Sequence, residues 1–109
     1  MRDYIYIIGN DSGYIKVGVS RNPEKRVKSL STGNAAKLTL LFTEEFDCER
    51  KHLLHIEKAI HKQLQQMTTK CQGEWFFLDK YKIDAIKNII TFYRIRYEED
   101  TLTFTKKFK

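Results

Sequence analysis

Tyr6, Lys16, Arg26, Glu57 and His61 are side chains of types that can do chemistry on a phosphate ester. Hydrolysing a phosphodiester takes an activated water, stabilisation of the charge that builds on the phosphorus oxygens, and help for the departing oxygen. Tyr6 and Lys16 lie on neighbouring apolar runs and can pin a water between a phenol and an ammonium. Arg26 offers a planar fork that meets two phosphate oxygens at once. Glu57 falls roughly 40° from Leu53 and about 20° from Leu64 on a helical wheel, at the apolar stripe of its helix. A carboxylate placed there costs stability unless a cation or hydrogen-bond donors meet it. His61 lies one turn later on the same side, where it can orient Glu57 or a water. Glu49 also projects near the stripe and is the alternative carboxylate. Taken singly, each residue has a plainer reading. A strand tyrosine packs a core, Lys16 points outward from its strand, Arg26 is a solvated helix charge, and His61 is a polar flank.

The elements that must position these residues follow from the pattern of apolar and turn-forming types. Residues 4–8 are aromatic or β-branched and read as a buried strand. The run Asn10-Asp11-Ser12-Gly13 is a turn, and residues 14–19 form the second strand of a hairpin. Asn22 caps a helix that has Pro23 in its first turn and Gly33 as its stop. Alternation returns over 37–46, with Leu38, Leu40 and Phe42 on one side. Leu53, Ile56, Ile60 and Leu64 recur at three- and four-residue spacing along a long helix. Trp75-Phe76-Phe77-Leu78 reads as a short aromatic strand or buried turn in which Trp75 anchors the core. Ile83, Ile86, Ile90, Tyr93 and Tyr97 make the stripe of a last helix, with Phe92 and Ile95 off the stripe. The expected fold is α/β in the α+β sense: a small, mostly antiparallel three-stranded sheet flanked by helices at 23–32, 49–66 and 82–97. Residues 1–97 form one domain, and 98–109 form a loosely held tail.

The chain has 109 residues, enough for one modest core, with 41% hydrophobic and 31% charged residues, which argues against disorder. No apolar run reaches the roughly 18 residues of a membrane helix, and no signal-peptide pattern opens the chain. The cytoplasm is therefore the expected compartment, or a host's cytoplasm or nucleus for a viral protein. Two cysteines, Cys48 and Cys71, are too few for a disulfide framework. His52 and His55 stand at a ligand spacing, but no Cys-x-x-Cys pair completes a zinc site. A formal charge of +6 favours a polyanionic partner.

The ordered set Tyr4-Ile5-Tyr6, Tyr14-Ile15-Lys16-Val17-Gly18, Arg26, Glu57 and Gly73-Glu74-Trp75-Phe76 resembles the GIY-YIG endonuclease superfamily. It is most similar to the small viral and bacterial branch with Lys in place of the second-motif Tyr, and the likeness runs from about residue 3 to 79. The resemblance implies a metal-dependent endonuclease acting on DNA, with RNA left open, in which Tyr6 activates the water. It implies that Glu57 holds a single Mg²⁺ or Mn²⁺, since such an ion keeps most of its waters and binds through few carboxylates. Lys16, Arg26 and His61 complete the catalytic set. Arg21, Lys25, Arg26 and Asn34 are the nucleic-acid contacts, with Asn34 in a Thr-Gly-Asn turn that equally caps a helix. Glu74 is expected to stay outside the site. Leu30 stands where many relatives carry a His or Tyr, which puts base catalysis on Tyr6 and Lys16 or on His61. Superfamily nucleases usually take target choice from an appended domain, so the resemblance implies a domain that cuts with little sequence preference or borrows specificity from a protein partner. The rival reading is a catalytically idle nucleic-acid-binding module that dimerises through its last helix. It needs the basic surface but gives Glu57 no role.

Overall fold

The computed structural model describes residues 2–33 and 37–107, with side chains described through residue 97. Its elements are β1 (Asp3–Asn10), β2 (Tyr14–Ser20), α1 (Pro23–Ser31), β3 (Leu38–Phe46), α2 (Arg50–Met67), β4 (Cys71–Gln72), β5 (Trp75–Phe77) and α3 (Lys80–Lys107). The hairpin closes as the turn residues require. Asn10 Oδ1 accepts from the amides of Ser12 at 2.9 Å and Tyr14 at 3.0 Å. Gly13 takes φ +89, and a Cβ there would sit 2.8 Å from the Phe77 ring, so the position excludes side chains twice over. Asn22 caps α1 by accepting from the Lys25 amide at 3.1 Å, with Pro23 in the first turn.

The sheet has five strands in the order β3-β1-β2-β5-β4, with every pairing antiparallel. The expected three strands thus form one side of a wider sheet, with β3 at its edge and β5 and β4 added beyond β2. The two additions are very short, and they come from the aromatic run and the residues before Gly73. That glycine adopts φ +61 and folds Cys71–Gln72 back onto Trp75–Phe77. β5 falls on the aromatic run read as a short strand or buried turn, whereas the two residues of β4 carry no legible alternation and do not stand out in the sequence. The helices fall where periodicity places them, except that α3 continues to Lys107, beyond the expected end at 97.

Alternation along β1 and β2 splits their side chains between two faces. Ile5, Ile7, Ile15 and Val17 enter the core with Leu53, Ile60 and Leu64 of α2, Ile86 and Ile90 of α3, and Phe46, Phe76 and Leu78. Phe76 is the buried member of the aromatic run. Trp75 is half-buried, so the core anchor lies one residue later than expected, on the inward-facing side of β5. Tyr6, Ile8 and Lys16 point to the opposite face and are buried there as well. A second tie fixes the far end of the sheet. Asp3 is 2% exposed, Arg50 Nη1 donates to its Oδ1 at 3.3 Å, and Arg21 Nε stands 4.0 Å from the same oxygen. That carboxylate locks the start of α2 and the exit of β2 to the first strand. Arg94 of α3 pairs with Glu44 of β3 at 3.4 Å. Phe92 and Ile95 are exposed on α3. No helix among the described residues is long and apolar enough to cross a membrane.

The β1–β2 register sets Tyr6 directly opposite Gly18. The tyrosine ring lies over that glycine so closely that a Cβ at residue 18 would be 2.2 Å from the phenol oxygen and 2.4 Å from Cζ. Gly18→Ala must therefore push the Tyr6 ring out of its place. Overpacking of this kind costs roughly 1–3 kcal/mol. We expect a lowered melting temperature in a thermal melt followed by circular dichroism, with the hairpin still formed.

Candidate active site

The outer edge of β2 is covered only in part. β5 pairs with Tyr14 and Ile15 and then leaves, so among the described residues no strand covers the outer side of β2 from Lys16 onward. Helix α2 runs past this stretch. His61 Nε2 meets the Val17 carbonyl at 2.9 Å. A carbonyl can only accept, so Nε2 carries the proton, and in the neutral ring Nδ1 remains an acceptor. The His61 ring also sits 6.5 Å from that of Phe76.

Around this notch the expected residues converge from separate elements. Lys16 leaves β2 on the Tyr6 face, directly opposite Ile8, so it stands diagonal to Tyr6 rather than across from it, with Gly18 filling the gap. Its side chain is 11% exposed and donates from Nζ to Oε2 of Glu74. Glu74, expected to stand apart, is therefore part of the cluster. The tight turn at Gly73 brings it over the β2 edge, a tertiary placement that spacing along the chain does not reveal. The signal in the sequence is the pairing of a turn glycine with a carboxylate just before a buried aromatic.

Glu57, on α2 one turn before His61, is half-buried. Loss of water pushes its carboxyl pKa above the usual 4.5; Glu74 adds to the rise, while His61, Lys16 and Arg50 oppose it. Glu74 is moved the other way. The hydrogen bond and charge of Lys16 hold it below the ordinary value, with smaller help from His61 and Arg26. Lys16, Arg26, Glu57, His61 and Glu74 thus form one electrostatic neighbourhood, with Tyr6 adjoining it across Gly18. Two carboxylates whose proton affinities are driven apart are the usual mark of distinct chemical roles.

The remaining residues divide. Arg21, Lys25 and Arg26 are exposed and share one shallow depression at the start of α1. Asn34 lies outside the described residues. Glu49 is exposed at the N-cap of α2 and pairs with Lys51 at 3.5 Å, away from the cluster. His52 and His55 are exposed, both cysteines are free, and no group of three or more His, Cys, Asp and Glu gathers for a metal among the described residues. A separate cavity of about 230 Å³, bounded by Gly9, Gly13, Leu41 and Ile83, contains none of the cluster except the neighbouring strand. The cluster faces an open edge, which suits a long polymer better than a small enclosed ligand. Asp3 and Arg50 escape a reading by spacing, because their contact joins residues 47 apart.

Comparison with curated proteins and with solved structures returned no match. The T5orf172 domain matches residues 3–93, a span that contains every element from β1 to β5, the whole notch and the first half of α3. This domain occurs in nuclease-like proteins of phages and bacteria, which agrees with a nuclease or nucleic-acid-binding role. On that match over most of its length, the chain belongs to the T5orf172 domain family.

Proposed function

We propose that this protein is a metal-dependent endonuclease of GIY-YIG type that hydrolyses phosphodiester bonds of DNA. The observation that carries the reading is the convergence of Lys16, Arg26, Glu57, His61 and Glu74 on the open edge of β2, beside a Tyr6 ring seated on Gly18. A module that only binds a backbone gains nothing from a half-buried carboxylate with a raised proton affinity. A nuclease does.

Each residue then has a task that follows from its setting. The exposed guanidinium of Arg26, with Arg21 and Lys25 beside it, grips phosphate oxygens. The buried ammonium of Lys16 lies on the Tyr6 face and fixes a water or a phosphate oxygen near the phenol. Tyr6, its ring seated in the space left by Gly18, takes the proton of the attacking water as its own hydroxyl proton passes to a second acceptor. The acceptor nitrogen of His61 orients that water or receives the proton in turn. A divalent cation suits Glu57, because that carboxylate is partly stripped of water and feels the negative charge of Glu74, a repulsion that a cation relieves. Mg²⁺ accepts one or two carboxylates and keeps its remaining waters. Glu57 would hold it, and once bound it would stabilise charge building on the phosphate oxygens. The cationic side chains read the backbone and not the bases, so cleavage by the domain alone shows little sequence preference.

Supercoiled plasmid should be nicked by the wild type with Mg²⁺ or Mn²⁺ and not in chelator, and Glu57→Gln should slow nicking by at least about a hundredfold. A folded wild type that binds DNA but never nicks it in any metal would replace this reading with the idle binding module. Tyr6→Phe keeps the ring over Gly18 and removes only the hydroxyl. The expected loss is about 10²- to 10⁴-fold in rate with little change in KM, and full activity in single-turnover assays would take Tyr6 out of the chemistry.

The raised pKa of Glu57 adds a pH test. A folded value above the unfolded 4.5 means that the folded chain binds this proton more tightly. The associated stability is present in full below the unfolded value and is lost as pH rises through the folded one. Thermal melts in chelator should thus show Glu57→Gln gaining on the wild type as pH climbs from acid to neutral. Cleavage by the wild type should fall away on acidification, with a midpoint that moves to lower pH as Mg²⁺ is raised, because the cation competes with a proton for the same carboxylate.

A further inference from the structure

The ammonium of Lys16 is nearly buried, and a buried cation is costly unless an anion meets it. In the free protein that anion is Glu74, yet the two partners are very unequal. The Lys16 side chain is 11% exposed and is fixed in the middle of β2, whereas the Glu74 side chain is 66% exposed at the tip of a turn. β4 meets β5 through only two residue pairs, and β5 meets β2 through two more. Moving the Glu74 carboxylate aside needs a side-chain rotation and breaks none of these backbone pairings. Water screens the exposed end of the pair, so its strength is that of a surface ion pair. An anion that brings its own hydrogen-bond acceptors to the notch can therefore take the place of Glu74 on Lys16. The nearby charges fit such an exchange. Arg26 acts on Glu74 from α1, and Glu57 is raised in pKa partly by Glu74, so the two carboxylates already repel.

We propose that Glu74 is a positioning residue that holds Lys16 in place in the free protein and gives it up to a backbone phosphate when nucleic acid enters the notch. The proposal rests on the reading of the notch as a phosphodiester site, and it assigns Glu74 to the exchange step. No bond is made or broken covalently. One anion replaces another on the same ammonium. Glu74 thereby keeps the buried charge satisfied between turnovers and aims Lys16 along the Tyr6 face.

The signature is opposite for binding and for catalysis, which a purely structural role would not produce. Binding of a short fluorescein-labelled DNA duplex is followed by anisotropy in chelator over a range of salt concentrations. Glu74→Gln should bind about two- to fivefold tighter than the wild type, the range set by an exposed ion pair. Its plot of log affinity against log salt should keep the wild-type slope, because Lys16 neutralises a phosphate in both complexes, whereas Lys16→Met should flatten it by about 0.9. In metal its kcat should fall while KM falls too, and Glu74→Asp should recover part of the rate. On a Lys16→Met background, Glu74→Gln should no longer tighten binding beyond the general loss of a negative charge, measured with Asp11→Asn at the far turn. The proposal is overturned if a folded Glu74→Gln binds no tighter, or if the tightening persists in full without Lys16. Should Glu74→Gln fail to fold, Glu74→Asp against the Lys16→Met pair decides the same question through the salt slope. The binding arm runs without metal. A wild type that never cleaves, joined to a Glu74→Gln variant that tightens through Lys16, would sink the nuclease reading and leave this inference standing.

Discussion

A β-strand offers hydrogen-bonding groups on both of its sides, and the whole candidate site depends on the point where β2 stops using one of them. Over Tyr14 and Ile15 the outer side is taken by β5; from Lys16 onward it is not. An uncovered edge within a small sheet is a hazard, since any other strand can add to it. Here α2 runs along the gap, and His61 satisfies the Val17 carbonyl. The same placement that protects the edge brings Glu57 and His61 of a core-packed helix around to side chains that point to the opposite face of the sheet. The two faces of β2 communicate only there, at its rim. Had β5 continued to pair, Lys16 and Glu57 would have been separated by a full layer of backbone.

Around the rim, the sheet is built for placement at some expense to packing. The Tyr6 face gives up a side chain at residue 18 so that a phenol can lie flat against backbone. Lys16 occupies a position that alternation would make apolar in a sheet covered on both faces, and it is kept there by an ion pair. Glu57 carries a desolvation penalty within the flank of an otherwise apolar helix face. These are the positions at which local rules are broken, and they lie together. The far end of the sheet follows ordinary rules of stability: Asp3 is buried with Arg50 and Arg21 against it, and it secures the beginning of the helix that carries Glu57. A strand and a helix pinned at that end leave the notch free to hold unfavourable groups at the other.

Much of this was legible in the sequence because it rests on local grammar. Asn10 and Gly13 specify the hairpin, Asn22 and Pro23 specify the start of α1, and the spacing of Leu53, Ile60 and Leu64 specifies which side of α2 is buried. Glu57 was conspicuous because it broke that spacing. The missing parts have a common cause. Glu74 and the pairing of β4 with β5 depend on where a single glycine turns the chain, and Asp3 with Arg50 depends on a contact between distant residues. Tyr6 and Lys16 were readable as neighbours on a hairpin, but not as diagonal ones, since a one-residue difference in register decides which residues stand opposite. Trp75 and Phe76 exchanged roles for the same reason: a short strand has an inward side, and composition alone does not say which residue takes it.

Charge at the notch explains why a cation belongs in the proposed chemistry even though the protein as a whole is basic. Lys16 and Arg26 offset Glu57 and Glu74 in formal charge. A phosphodiester entering such a balanced group would add one negative charge to a setting with two carboxylates, and the +6 of the whole chain, spread over its surface, is screened beyond about 8–10 Å. Steering by the basic surface can therefore bring a polyanion to the edge of β2 without stabilising the additional charge of a transition state once it is there. Only a positive charge inside the notch does that. The half-buried Glu57, which is held uncomfortably as an anion when alone, is the residue best suited to supply its counter-charge.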